Sequence, residues 1–299
     1  MNLRVLDLFS GIGGFSLGLE RATLPGAKYD GFETVAFCEI EKFPRRVLAK
    51  HWPDIPCYKD VRELTAARLA ADGIAVDVVC GGFPCQDISF AGKGAGLAGE
   101  RSGLFYEIAR LVGELGPRFV ILENVGALLS RGLDVVLGTL ASLGYDAEWH
   151  CIPASYVGAP HRRDRVWIVA YPRHCAGARS EAGEHRVQGQ QPILEENGRE
   201  GAATLVECRK ALAYADCSRL ERGEDCGNVG EVWPWFQQFI ERRADCHGDI
   251  WRTEPGLGRV ANGVPDRAHR LRALGNAVVP QIPELLGNAI LAAMHEEEA

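Results

Sequence analysis

No apolar run in the sequence approaches the roughly 20 residues that a membrane-spanning helix needs, so no membrane role is expected. No signal peptide is read either, because Met1 to Asp7 goes straight into a strand pattern. Both absences point to the cytoplasm. Closely spaced cysteine pairs are missing too. The ten cysteines are scattered, and a reducing compartment keeps such residues as thiols. Cys208, Cys217, Cys226 and Cys246, with His174 or His247, lack the short separation of a zinc knuckle, so no metal is expected. Positive charge is in deficit: the formal net charge is -7, which argues against indiscriminate nucleic-acid binding. Lysine is scarce, and the arginines cluster at Arg162, Arg163 and Arg165, at Arg242 and Arg243, and at Arg259, Arg267, Arg270 and Arg272. Arginine binds phosphate and guanine in bidentate fashion, so a local DNA-binding face remains compatible with the acidic total. There is no internal repeat.

The chain of 299 residues is ordinary globular material, 46% hydrophobic and 24% charged. That length holds one large domain, or a large and a small one. Its centre of organisation is Gly81-Gly82-Phe83-Pro84-Cys85-Gln86. The apolar run Val76 to Cys80 reads as a short buried strand, and the glycines and proline end it in a turn. Cys85 is thereby lifted onto a loop, continued by the glycine-rich Gly92-Lys93-Gly94-Ala95-Gly96. A loop at a strand end suits a nucleophile, whereas an isolated cysteine is by default a buried thiol.

Strand and helix patterns alternate from the start. Leu3 to Phe9 is a strand, Ser10-Gly11-Ile12-Gly13-Gly14 a turn, and Phe15 to Arg21 a helix. This is the opening of a nucleotide-binding α/β unit, in which glycines allow close backbone approach to a ligand. The dinucleotide fingerprint is not met, because Ser16 stands where its third glycine belongs. Val35 to Glu39 is a second strand ending in an acid, and Tyr58 to Val61 offers another, Asp60. Helices follow over 41–51, 63–71, 103–115 and 133–143, with strands over 118–123, 145–152 and 166–170. This repetition predicts a parallel sheet covered on both faces. Residues 173–254 are polar and weakly periodic apart from the island Val232 to Ile240, and predict a smaller, irregular domain. Regularity returns at Leu271, and a helix over 282–294 needs an apolar face to bury against.

The motifs now stand in order: Asp7 to Gly14, Glu39, Asp60, Gly82-Phe83-Pro84-Cys85-Gln86, Glu123-Asn124-Val125, Arg163-Asp164-Arg165, and Gly275 to Pro280. In this series the chain resembles the DNA (cytosine-5)-methyltransferase family, of prokaryotic or phage type. The resemblance implies an α/β, doubly wound mixed sheet of the S-adenosylmethionine-dependent methyltransferase type. A catalytic and cofactor-binding domain would span 1–172, a smaller irregular target-recognition domain 173–270, and a returning C-terminal segment 271–299. S-adenosyl-L-methionine would contact Phe9, the backbone of Gly11, Ile12, Gly13 and Gly14, Glu39 at the ribose, Asp60 at the adenine amino group, Val61, Pro84, Leu104, Asn276 and Val278. Ile40 stands where the family often has tryptophan, and His161-Arg162 where glutamine is common before the arginines.

The implied chemistry is covalent. Cys85 attacks carbon 6 of a cytosine, which makes carbon 5 nucleophilic. Protonated Glu123 serves ring nitrogen 3, and this requires a raised carboxyl pKa. Arg165 donates to oxygen 2, with Arg163 supporting it or holding a phosphate. The target must leave the stack, so the partner is double-stranded DNA and the base is flipped. A monomer suffices, and a cognate restriction endonuclease acting on the same site is a candidate partner. Three alternatives remain: an RNA cytosine-5 methyltransferase on the same scaffold, a catalytically silent DNA-binding regulator, and a nicotinamide oxidoreductase. The first lacks its Cys-Phe-Thr stretch here, the second would be expected to lose Cys85, Glu123 or Arg165, and the third is disfavoured by Ser16.

Overall fold

The computed structural model describes residues 1–84, 103–173 and 266–298. Cys85, the loop 89–99, the island 232–240 and the cysteines and histidines weighed as a zinc site lie outside the described residues. Seven strands form one sheet: β1 (Asn2–Leu8), β2 (Gly31–Cys38), β3 (Cys57–Tyr58), β4 (Val78–Gly82), β5 (Phe119–Val125), β6 (Tyr145–Ile152) and β7 (Arg165–Pro172). Their order is β3-β2-β1-β4-β5-β7-β6. The helices are α1 (Gly14–Leu19), α2 (Lys42–His51), α3 (Ala66–Ala71), α4 (Gly103–Leu115), α5 (Leu133–Ser142), α6 (Arg267–Asn276) and α7 (Gln281–Glu298). The α6 helix runs across the expected boundary at 270/271.

The parallel reading holds for β1 to β5 and fails at β7. That strand pairs antiparallel with both β5 and β6, so the sheet is mixed. Strand patterns carry burial but not direction, and the connection from Ile152 to Arg165 turns the chain back to pair β7 antiparallel beside β6. As a result Arg165, the first residue of β7, sits opposite Val125, the last of β5. The loops after β1, β2, β3, β4 and β5 and the start of β7 all gather at one end of the sheet. Strand order reverses between β1 and β4, and ligands of open α/β sheets bind in the crevice beyond such a switch point.

Alternation along the strands builds two cores. Leu6, Leu8, Val79, Val120 and Leu122 pack with Ile108, Leu111 and Val112 of α4 and with Val136 and Leu140 of α5. On the other face Leu3, Val5, Cys80, Ile121 and Trp167 pack with Phe15 and Leu19 of α1 and with Ile282, Leu285, Leu286 and Ile290 of α7. The stretch Arg267–Glu296 is long and apolar enough to pass as a membrane span, contrary to the expectation of no such run. Its apolar face is part of this core, which accounts for the composition.

The two ends of the chain meet through glycine. A methyl group at Gly18 would stand 2.1 Å from the Pro280 carbonyl oxygen and 2.8 Å from Pro283, and one at Gly287 would stand 2.7 Å from Ala22. Helices α1 and α7 therefore cross at backbone distance. Beneath α1 lies a buried polar strut: the Ser16 hydroxyl donates to Asp7 Oδ2 at 2.8 Å, while Asp7 Oδ1 has no hydrogen-bond partner. Asp7 is fully buried, and burial pushes its carboxyl up to about 7 against the pull of Ser16.

Gly18→Ala is expected to destabilise the fold by about 1–3 kcal/mol through overpacking, read as a lower urea midpoint. An unchanged midpoint would mean that α7 does not sit this close. The Asp7 carboxyl is harder to ionise when folded than when unfolded. Its contribution is fully present below about pH 4 and is lost as pH rises toward 7. Asp7→Asn keeps an acceptor for Ser16 and is expected to flatten stability against pH between about 4 and 7. Parallel profiles for parent and variant would rule out a titrating Asp7.

Candidate active site

The turn after β1 is held from below and from the side. Phe9, Gly11 and Gly13 adopt left-handed backbone angles, with φ of 53°, 53° and 84°. The Ser10 hydroxyl donates to the Asp7 carbonyl at 2.6 Å and accepts from the Cys38 N–H at 3.2 Å, joining the ends of β1 and β2. Gly11 N–H donates to Glu39 Oε2 at 2.8 Å, and Glu41 N–H donates to Oε1 at 2.7 Å. Glu39 is thus fixed by two backbone donors, each oxygen keeping a lone pair for a ligand hydroxyl. Burial raises its carboxyl pKa and these two donors oppose the rise.

Beside this turn lies a cavity of about 300 Å³. The cofactor candidates Phe9, Glu39, Asp60, Val61, Pro84 and Leu104 line it together with Cys38, Ile40, Lys59, Arg62, Gly103 and Glu107. Asp60 is clamped by Arg62, with Nε 2.9 Å from Oδ1 and Nη2 2.6 Å from Oδ2, and this hydrogen bonding holds its carboxyl below the usual range. An ionised acceptor therefore faces the cavity. Arg110 of α4 supports the same wall by donating to the Val61 and Leu64 carbonyls. Apolar walls with a fixed carboxylate at either side suit a flat heterocycle carrying hydroxyl and amino donors.

The remaining cofactor candidates are not in the cavity lining. Gly11 and Ile12 are half-buried beside it. At Gly13 a methyl group would meet the Trp52 ring at 2.7 Å, and at Gly14 the Val278 side chain at 2.7 Å. The room left by these two glycines is used by the protein's own side chains. Val278 reaches the turn from the C-terminal segment, whereas Asn276 ends α6 as an exposed residue.

The second group of residues sits at the ends of β4, β5 and β7. Arg165 Nε lies 2.8 Å from Glu123 Oε1, with the two side chains 22% and 12% exposed. Burial raises the Glu123 carboxyl pKa, although Arg165 and Arg163 both pull it down. Gly82, opposite Glu123 in the sheet, leaves space for the carboxylate: a methyl group there would stand 3.0 Å from Oε2. Arg163 has a left-handed backbone, φ 40°, and its Nη2 donates to the Gly275 and Ala277 carbonyls at 2.7 Å each. Burial and the neighbouring Arg165 charge lower its pKa.

Sequence reasoning gives Asn124 no role of its own. It is buried, and its amide donates to the Phe83 carbonyl at 2.9 Å while its Oδ1 accepts from Val125 N–H at 2.9 Å. Asn124 thereby ties the end of β5 to the turn that leads through Pro84 to Cys85. An amide inside so apolar a strand end is the available signal. In the sequence Ser16 shows only as a broken fingerprint, and its bond to Asp7 is missed.

A family profile for C-5 cytosine-specific DNA methylases matches residues 3–207. Type II methyltransferase M.NgoMIV of Neisseria gonorrhoeae is 30% identical over 328 residues, covering 99% of this chain and all of that protein. Type II methyltransferase M.CviJI of Paramecium bursaria Chlorella virus IL3A is 34% identical over 171 residues, covering 57% of this chain and 43% of its own length. The chain likewise spans less than half of several other curated relatives, including 42% of M2.BsuMI of Bacillus subtilis. Among solved structures, a DNMT2 variant of Spodoptera frugiperda superposes with a TM-score of 0.55 over 95% of this chain and 98% of that one. At 16% identity it speaks for the fold alone. With the family profile over most of its length and a full-length relative at 30% identity, the chain belongs to the C-5 cytosine-specific DNA methylase family.

Proposed function

We propose that the chain is an S-adenosylmethionine-dependent DNA (cytosine-5)-methyltransferase acting on a cytosine flipped out of duplex DNA. The observation that carries this reading is the nearly buried Glu123–Arg165 pair, next to the turn that leads to Cys85. A carboxyl with a raised pKa can deliver a proton, and a guanidinium beside it can hold a developing negative charge.

The cavity fits the cofactor. Phe9, Val61, Pro84 and Leu104 provide apolar walls, Glu39 faces hydroxyl donors and Asp60 faces an amino donor. When bound, S-adenosylmethionine supplies the electrophilic methyl group. The chain's own residues prepare the base. The Cys85 thiolate adds to carbon 6 of cytosine, and the ring electrons move toward nitrogen 3 and oxygen 2. Glu123 delivers its proton to nitrogen 3 and accepts from the exocyclic amine. Arg165 donates to oxygen 2. Carbon 5 is then electron-rich. After methylation the carbon 5 proton leaves to a base, the carbon–sulfur bond breaks and Cys85 is released as thiolate. In this reading the enzyme works as a monomer in the cytoplasm, and a cognate restriction endonuclease reading the same site is a candidate partner. Segment 173–270 selects the sequence.

Methyl transfer from labelled S-adenosylmethionine to unmethylated plasmid DNA is expected for the parent chain and not for Cys85→Ser. Sequencing after cytosine deamination should show protection at one recurring short site. Labelling of RNA instead of DNA would overturn the substrate assignment, and equal labelling by the variant would overturn the covalent step. The protonated fraction of Glu123 falls as pH rises through its raised pKa, so kcat should decline on the alkaline side. Glu123→Gln should remove that decline and lower kcat by about 10²–10⁴-fold. A decline of the same shape in the variant would assign the titration to another group.

A further inference from the structure

The sequence offers Arg163 as a helper of Arg165 or a holder of phosphate. The geometry points to a different role, and we infer that Arg163 is the positioning residue that fixes the C-terminal segment, packed on the glycine turn beside the cofactor cavity, to the base-binding site. This rests on the cofactor reading of the cavity and deepens it.

The last carbonyls of a helix such as α6 have no intrahelical partners and carry the negative end of its dipole. The last turn of α6 holds no basic residue of its own. Arg163 supplies the missing cation from the loop between β6 and β7, placing one guanidinium nitrogen 2.7 Å from both the Gly275 and the Ala277 carbonyl oxygens. A charged donor shared by two carbonyls sets position and angle at once. One residue beyond Ala277, Val278 lies over Gly14 so closely that a methyl group there would stand 2.7 Å from its side chain. The carbonyls that Arg163 holds therefore fix where Val278 meets the glycine turn.

On its other side Arg163 is anchored to the base site. Arg165 follows two residues later and is paired with Glu123 at 2.8 Å. The backbone between is fixed by an unusual conformation, since Arg163 is one of only three non-glycine residues with positive φ among those described. Non-glycine residues hold that conformation only when the surroundings over-determine it. The two carbonyl bonds are such a determinant. A single side chain thus joins three pieces distant in sequence: the glycine turn, the Glu123–Arg165 pair and the C-terminal segment. A guanidinium held by two protein carbonyls is not available to a phosphate in the same geometry.

The test compares Arg163→Ala and Arg163→Lys with the parent, measuring S-adenosylmethionine affinity by calorimetry without DNA, then KM for cofactor, KM for DNA and kcat. Arg163→Ala is expected to weaken cofactor binding by about tenfold or more, as loss of a charged hydrogen bond implies. DNA affinity and its salt dependence should stay near the parent's. Arg163→Lys, which still donates to a carbonyl, should recover much of the loss. Weakened DNA binding with a salt slope reduced by about one and unchanged cofactor affinity would make Arg163 a phosphate contact and overturn the inference. A second readout does not depend on the cofactor. Amide exchange at 275–279 should be faster in Arg163→Ala than in the parent, and unchanged exchange would overturn the clamp even if the variants bind poorly. Should the parent bind no S-adenosylmethionine while the exchange difference stands, the cofactor reading falls and the clamp itself survives. A cycle with Val278→Ala settles the route: non-additive loss of affinity supports action through the turn, and additive loss contradicts it.

Discussion

A carboxylate and a guanidinium, 2.8 Å apart and largely out of water, are the interaction on which the site depends. Removing a carboxylate from water is costly, and one charged partner at hydrogen-bond distance offsets only part of that cost. Burial outweighs the two arginines near Glu123, whose pKa is raised despite them. A group poised in this way can exist as either acid or anion at modest cost, which is what a proton donor to a ring nitrogen must do. The pairing is made possible by the sheet. Only because β7 runs against β5 does its first residue lie at the end of β5 where Glu123 stands. A parallel β7 would place Arg165 at the opposite end of the sheet.

The same end of the sheet gathers the loops of β1 to β4, and the protein closes it with its own C-terminus. Gly14 yields to Val278, and Gly18 yields to the Pro280 carbonyl. These close approaches leave little freedom in the position of α7 relative to α1. A chain whose first unit is completed by its last segment must bring the two together closely, and glycine on one side with branched or cyclic residues on the other provides a snug contact.

Local signals in the sequence are the legible ones. The helix Gly103–Leu115 and the strand Tyr145–Ile152 lie where periodicity places them, because an apolar stripe and its flanking turns are contained within each segment. The α3 helix starts at Ala66, later than its pattern predicts, because Thr65 caps it by accepting from Arg68 N–H. Of the site, the acids at the ends of β2 and β5 stand out as carboxylates after apolar runs. What is not legible depends on contacts between segments far apart. The antiparallel direction of β7, the Ser16–Asp7 strut and the Arg163 bonds to Gly275 and Ala277 each need partners that no local window contains. At Gly13 and Gly14 the space beside the backbone is taken by Trp52 and Val278, partners that no local window contains.

The arginine-rich, lysine-poor composition also reads differently in three dimensions. Much of the arginine in the described residues is engaged by the protein itself: Arg4 with Asp77, Arg62 with Asp60, Arg68 with Asp72, Arg110 with Glu107 and Glu114. Guanidinium groups thus serve internal pairing with carboxylates here. Exposure separates those committed from those exchangeable. Arg165 is 22% exposed and faces a carboxylate nearly out of water. Arg46 and Arg272, paired with Asp266 and Glu41, are 67% and 65% exposed. Exposed pairs of that kind contribute about 0–1 kcal/mol, so replacing the carboxylate by a phosphate costs little. Both lie where α6 meets α2. The pairs at that junction are thus solvent-exposed, whereas the Glu123–Arg165 pair is largely out of water.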